Sequence, residues 1–251
     1  MLHIIKHYIN RMRYMRLTLF IKRPFIFKLH LPERLREEGY FSQSGQDKWI
    51  VEKLFPGKRG GVFVDIGAYD GICFSNTFFL EKERDWRGLA IEPNPHVYEK
   101  LQRNRSCSVM NCCVGEKDGC SIFRAIQGYP AMLSGMTDQY HPKHLNRIDR
   151  ELRLHGGDFQ DIDVPCYSIN SLFSKYKLYT IDYLSIDVEG AELPIIKGLD
   201  VFQVNISVMS VENNYKDYKI PQILKQKGFV LHSTIGLDEL YINRELSSSF
   251  D

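Results

Sequence analysis

Three observations in the 251-residue chain predict an α/β fold with a mostly parallel sheet and helices on both faces. Short apolar or β-branched runs, among them Val62-Phe63-Val64, Gly88-Leu89-Ala90-Ile91 and residues 181–186, alternate with segments of helical spacing. Four such runs end in an acid, at Asp65, Glu92, Asp187 and Glu212. Two closing runs, 229–235 and 239–244, flank Gly236-Leu237-Asp238 and read as an antiparallel pair. With 43% hydrophobic and 25% charged residues, the chain can build one complete core. The predicted organisation is a basic arm over residues 1–38 and one domain over 39–251, with a variable insertion at about 127–165.

The arm places Ile4, Ile5, Tyr8, Ile9, Met12, Met15 and Leu19 at three- and four-residue spacings, with Lys6, Arg13 and Arg16 between them. This basic amphipathic pattern suits either contact with an anionic membrane surface through residues 1–30 or docking on its own domain or a second subunit. Residues 1–32 carry seven Lys or Arg and no acid, which leaves 26 bases against 31 acids in the body. An acidic body disfavours general nucleic-acid binding. Six cysteines without a CxxC pair indicate neither a disulfide framework nor a zinc site. No run of 18 apolar residues and no signal-peptide pattern occurs, so the expected location is cytoplasmic, either free or with the arm at the inner face of a membrane.

In chain order, residues 39–55 read as a polar turn followed by a helix that presents Trp49, Ile50, Leu54 and Phe55; Ser42, Gln43 and Gln46 suit the helix start. Residues 61–95 form a β-turn-α-β unit, and Pro93-Asn94-Pro95 starts the next helix, 96–104. Residues 107–114 predict a third strand and 120–125 a fourth extended piece. The insertion is the least regular part, although 142–154 has helical spacing; such a segment is expected to serve as a lid or substrate-binding element. A strand and helix over 166–176, a buried strand 181–187, a helix through Lys197, an apolar strand 204–211 and a helix 221–227 complete the pattern.

In a parallel sheet, ligands bind outside the carboxyl ends of the strands, so the acids and the turn Gly67-Ala68-Tyr69-Asp70-Gly71 face one crevice. Glu92 lies about 20 residues past that turn, where an acid can accept both ribose hydroxyls of a nucleoside. A dinucleotide fingerprint needs glycine where this chain has Tyr69, and Asp65 and Asp70 would repel a phosphate. S-adenosylmethionine fits better, because it lacks phosphate and carries a cationic sulfonium and ammonium.

The pieces 41–47 (FSQSGQD), 63–71 (FVDIGAYDG), Ser75-Asn76-Thr77, 86–95 (WRGLAIEPNP), 186–192 (IDVEGAE), Lys197-Gly198-Leu199 and the Gly228-Phe229 closing hairpin occur in order. In these the chain resembles the FkbM family of S-adenosylmethionine-dependent methyltransferases, over roughly residues 39–244. The resemblance implies a Rossmann-like, seven-stranded methyltransferase sheet and O-methylation of a carbohydrate, glycolipid or secondary-metabolite hydroxyl. It also implies that Asp65, Gly67, Tyr69 and Gly71 shape the methionine end of the pocket, that Glu92 and Pro93 meet the ribose, and that Cys113 approaches the adenine. Asn76 and Thr77 would orient the cofactor carboxylate.

Methyl transfer to oxygen needs collinear approach and a nucleophile that loses its proton. Asp187 or Glu189 is a candidate base, and His141 and His144 in the insertion are further acid-base candidates. The alternative is a divalent cation, Mg²⁺ or Mn²⁺, held by Asp187, Glu212 and Asn213, an arrangement that resembles the one in catechol O-methyltransferases. An NAD-dependent oxidoreductase and a non-catalytic binding protein on the same fold are the competing classes; the missing middle glycine opposes the first, and the intact Asp65, Gly67, Gly71 and Glu92 oppose the second.

Overall fold

The computed structural model describes residues 38–249, so the predicted basic arm lies outside the described residues apart from its last one. It opens with α1 (Gln46–Trp49), which continues as one π turn, Ile50–Leu54. The strands β1 (Val62–Ile66), β2 (Arg87–Ile91) and β3 (Ser108–Met110) follow, joined by α2 (Phe78–Arg84) and α3 (Pro95–Asn104). Pro95 opens α3 and the Asn94 side chain accepts from His96 N at 3.2 Å, a proline-plus-asparagine start that satisfies one otherwise orphaned amide.

The chain then leaves the main sheet. β4 (Cys113–Gly115), β5 (Gly119–Gln127), a 3₁₀ turn at Tyr129–Leu133, β6 (Gly135–Met136), α4 (Pro142–His155) and β7 (Asp158–Ser168) form a second, four-stranded sheet in the order β4-β7-β5-β6, with α4 packed on the 3₁₀ turn. It returns through α5 (Ile169–Tyr176), β8 (Thr180–Ile186), α6 (Glu192–Gly198), β9 (Asn205–Glu212), α7 (Lys219–Gln226), β10 (Phe229–Ile235) and β11 (Asp238–Asn243). The main sheet has seven strands in the order β10-β11-β9-β8-β1-β2-β3. All of its pairings are parallel except those of β11, which runs antiparallel between β9 and β10.

Period-two alternation splits the core between the two faces of this sheet. Val64, Ile66, Leu184, Ile186, Met209 and Val211 point to one face, where α5, α6 and α7 supply Leu172, Ile195 and Leu224. Phe63, Tyr183, Val208 and Ile242 point to the other, under Ile50 and Leu54 of the π turn and Phe78 and Leu80 of α2. Among the described residues no helix is long and apolar enough to cross a membrane.

Two expectations need correction. Residues 107–114 are two short strands in different sheets, because the Asn111 side chain donates to the carbonyls of Glu92 and Pro93 at 2.8 and 2.9 Å and turns the chain off the ladder. Cys113 therefore pairs with Cys166 in the second sheet and does not end the third strand of the main one. The insertion is also regular: β5 and β7 pair antiparallel over nine residues, with Arg124 and Asp161 in direct register and bridged by two 2.8 Å hydrogen bonds. Pro165 and the aspartates at 158, 161 and 163 concealed the strand, since proline and aspartate are depleted in sheets.

Candidate active site

The order of the main sheet reverses between β1 and β8: the chain builds β1, β2, β3 outward, then crosses over to resume on the far side of β1. Loops leaving two such strands diverge and open a crevice. Here they touch at their base. Asp187 N donates to Ile66 O at 3.0 Å, and a Cβ on Gly67, at φ 89°, would stand 1.7 Å from the Asp187 carbonyl oxygen. Only glycine fits that position. Above it lies a cavity of about 220 Å³, roofed by Phe123 and Met136 of the second sheet.

On the β1–β2 side, each acid is held by donors. Thr77 Oγ1 donates to Asp65 at 2.5 Å, and the fully buried Arg105 lies 3.9 Å from Asp65 while its Nε donates to Glu81 at 2.6 Å. Burial raises the pKa of Asp65, with Arg105 and Thr77 acting against it. Burial also acts to raise Glu81, but Arg105 above all, with Lys82 and the Ser106 amide, holds it down at about 2. Glu92 accepts from Tyr69 N at 3.0 Å and Asn94 N at 2.8 Å, and burial pushes it up to about 7 despite both bonds. Tyr69 sits in the left-handed region at φ 50°. Asp70 caps the turn by accepting from Ile72 N and Cys73 N at 2.9 and 2.7 Å. Asn76 donates to Ser185 Oγ at 3.0 Å, and its own carbonyl oxygen is buried without a partner.

On the β8–β9 side, acids face acids. Asp187, Glu189 and Glu212 each place one carboxylate oxygen within 4.8 Å of the others. Burial raises Asp187 well above the usual carboxylate range, and the neighbouring charges of Glu189, Asp238 and Glu192 raise it further. Glu212 is raised by burial and then by Asp187 and Glu189. Glu189 is pushed up to about 7 by burial, with Arg147 acting against it. Its Oε2 faces Nδ1 of the fully buried His144 at 3.3 Å, and neither atom has a hydrogen-bond partner. Since His144 Nε2 lies 3.0 Å from Leu133 O and must carry a hydrogen there, Nδ1 in the neutral ring is an acceptor. Two facing acceptors are satisfied only when one proton is shared between Glu189 and His144.

Of the sequence candidates, Asp65, Gly67, Tyr69, Asn76, Glu92, Pro93, Cys113, Asp187, Glu189 and Glu212 all line the cavity. Gly71 and Thr77 stand behind its wall: Gly71 packs on Leu101 and Arg105, and Thr77 serves Asp65. His141 is outside it, capping α4 through Nδ1 to Lys143 N at 3.1 Å and stacked on Tyr215. Asn213 is turned away from the carboxylates; its Oδ1 accepts from Asp217 N at 2.7 Å and its Nδ2 donates to Glu239 at 3.1 Å. Glu189 takes its place in the cluster. Arg105 and Asp238 were not singled out from sequence. Asp238 lines the cavity, is opposite Glu212 in the β9–β11 register, and accepts from Gln46 Nε2 at 2.7 Å. Nothing in the local sequence marks Arg105, whereas Asp238, in the closing turn, was legible as a fifth acid at a strand end.

The antiparallel β11 between β9 and β10, the helices on both faces and the cavity at the β1–β8 reversal define a Rossmann-like methyltransferase fold. The sequence pattern of the methyltransferase FkbM domain matches residues 65–231, well over half of the chain, which therefore belongs to that family and is a methyltransferase. Methyltransferase sdnD of Sordaria araneosa is 25% identical over 190 residues, covering 66% of this chain and 72% of that protein. The crystal structure of methyltransferase FkbM from Methylobacillus flagellatus KT superposes with a TM-score of 0.41 and 15% identity, covering 75% of this chain and 45% of that one. A TehB-like S-adenosylmethionine-dependent methyltransferase from Corynebacterium glutamicum gives a TM-score of 0.41 at 9% identity, covering 84% and 92%.

Proposed function

We propose that the chain transfers a methyl group from S-adenosylmethionine to a hydroxyl of a carbohydrate, glycolipid or secondary metabolite. One observation carries the reading: the Asp187, Glu189 and Glu212 carboxylates meet in the same cavity as the Gly67 turn and Glu92, so proton acceptors stand beside a nucleoside-type site. The cavity wall suits a phosphate-free cation. Asp65, Glu92 and Asp187 line it, and the unpartnered Asn76 oxygen is an acceptor free for an ammonium donor. Glu92 keeps lone pairs beyond its two amide bonds for ribose hydroxyls.

In the reaction the acceptor oxygen forms a bond to the methyl carbon as the carbon–sulfur bond breaks and its electron pair stays on sulfur. The hydroxyl proton passes to a cluster carboxylate, and an acid near pKa 7, as Glu189 is, is matched to that task. His144, across 3.3 Å, can share the proton. The same three oxygens, hard donors at adjacent strand ends, fit a divalent cation, which would relieve their mutual repulsion. Bound there, Mg²⁺ or Mn²⁺ would polarise the acceptor oxygen as a Lewis acid. The residues that would hold it are Asp187, Glu189 and Glu212, with Asn213 committed to its own loop.

Calorimetry with S-adenosylhomocysteine and with NAD tests the cofactor: the first should bind and the second should not, and the reverse outcome returns the oxidoreductase reading. Methyl transfer in excess EDTA tests the cation, and an unchanged rate removes it. For the basic arm, we propose peripheral contact with anionic membranes. Co-sedimentation with phosphatidylserine vesicles should then fall when residues 1–30 are deleted.

A further inference from the structure

A second cavity, of about 410 Å³, lies between the start of α4, the first turns of α6 and the loop after β9. Glu212 lines both cavities. Elsewhere they are walled apart, because the loop after β8 presses on the insertion: a Cβ on Gly190 would stand 2.8 Å from Gln139 O. In the second cavity His141 and Tyr215, from the insertion and the loop after β9, stack with centroids 4.1 Å apart and planes 14° from parallel. The stack bridges the insertion and the loop after β9, and it lines the cavity together with Gln139 and Asn214.

We propose that this second cavity is the acceptor subsite and that it selects an uncharged or cationic hydroxyl-bearing ring; the inference rests on the methyltransferase reading above. Three features carry it. Its one side chain in common with the cofactor cavity is a carboxylate of the proton-accepting cluster, so a hydroxyl seated against Glu212 lies at the boundary with the reacting methyl. Aromatic carbon next to side-chain amides suits a ring with C–H faces and hydroxyl edges. Finally, the acids Glu192, Glu212 and Asp217 outnumber Lys197 among its ionisable residues, so a phosphate- or carboxylate-bearing ring finds a single lysine to pair with and adds to the negative charge of the cluster.

The test has two readouts on the full chain. Calorimetry with S-adenosylhomocysteine reports the cofactor site, and radiolabelled methyl transfer at high concentration reports acceptors, using methyl glucoside, glucosamine, glucuronic acid and glucose 6-phosphate. The expected result is transfer to methyl glucoside or glucosamine at least tenfold above the two anionic sugars. Tyr215→Ala and the space-filling Asn214→Trp should each raise the acceptor KM about tenfold and leave S-adenosylhomocysteine affinity within twofold; two variants guard against one failing to fold. If S-adenosylhomocysteine binds but the anionic sugars are preferred, no neutral or cationic sugar is methylated, or both variants keep the wild-type acceptor KM, the subsite assignment is overturned. If S-adenosylhomocysteine does not bind, the methyltransferase reading itself fails and the subsite falls with it.

Discussion

Asp65 and Glu81, on the β1 side of the cleft, share the buried guanidinium of Arg105, whereas Asp187 and Glu212, on the β8 side, have further acids as their charged neighbours. Both groups are buried at strand ends or helix starts, and desolvation acts on both. The difference lies in what else reaches each carboxylate. On the first side, a cation, a threonine hydroxyl and backbone amides fix the geometry and leave few degrees of freedom, as a wall that shapes a cofactor pocket requires. On the second, burial and neighbouring acids raise the pKa values, so the cluster holds a proton more tightly than free carboxylates do, which a group that must take a proton near neutral pH needs. The same residue types thus build a rigid half and a reactive half.

Breaking the rigid half should have the largest effect. Replacing Arg105 with Leu strands Asp65 and Glu81 in the interior without their cation, and losing one partner of a buried pair costs about 3–5 kcal/mol. Thermal and denaturant unfolding should show a loss of that size, and a loss under 1 kcal/mol would mean that the guanidinium does not organise this side. Gly67→Ala should follow, at roughly 2–4 kcal/mol, from the positive-φ penalty and the overlap with the Asp187 carbonyl. Because that overlap pushes the loops after β1 and β8 apart, S-adenosylhomocysteine binding should be lost even in protein that remains folded.

Acids raised by burial, in the reactive half and outside it, predict an opposite sign. Glu189 and Glu92 are pushed up to about 7, and Asp47 and Asp238 to about 6, all above their ordinary values, mainly by burial. An acid with a raised folded pKa binds more protons in the native than in the unfolded state between its two pKa values. Unfolding free energy should therefore fall as pH rises from about 4 through about 7. Glu81, held at about 2, acts in the other direction, its contribution being lost only as pH falls below its ordinary value of 4.5 toward 2. Removing one acid of the cluster should make the falling slope shallower: Glu212→Gln is expected to gain about 1 kcal/mol at pH 8 while kcat drops at least tenfold. A destabilised Glu212→Gln would show that the cluster contributes to the fold rather than working against it.

Much of this division was legible in the chain. Acids closing four apolar runs placed Asp65, Glu92, Asp187 and Glu212 at one sheet edge, because strand ends are local features written in consecutive residues. Gly67 was legible as a turn glycine, but not the Asp187 carbonyl that makes it obligatory, 120 positions away. Arg105 was invisible for the same reason: a basic residue after a helix is usually a solvated one, and its burial comes from residues distant in sequence, Glu81, Thr77 and the Phe63 and Phe78 rings. The resemblance to catechol O-methyltransferases points to Asp187, Glu212 and Asn213 as the metal set, because it matches positions along the chain and carries no side-chain direction. Glu189, in the left-handed region at φ 58°, turns its side chain back into the cluster, and Asn213 turns out to its own loop. The second sheet was missed because its longest strand carries proline and three aspartates.

Asp70 gives the smallest effect and the finest test of the comparison. From sequence its negative charge joined Asp65 in repelling phosphate and attracting a cation, but it does not line the cavity, and its Oδ1 is occupied by the amides of Ile72 and Cys73. What the turn needs is an acceptor oxygen, and asparagine supplies one without the charge. Asp70→Asn should therefore shift stability by less than about 1 kcal/mol, while Asp70→Ala, which leaves two buried amides without their partner, should cost about 1–3 kcal/mol. S-adenosylhomocysteine affinity, measured by calorimetry, should change less than threefold in the asparagine variant. A tenfold loss there would return the charge of Asp70 to the cofactor site and place it with the reactive acids instead of the structural ones.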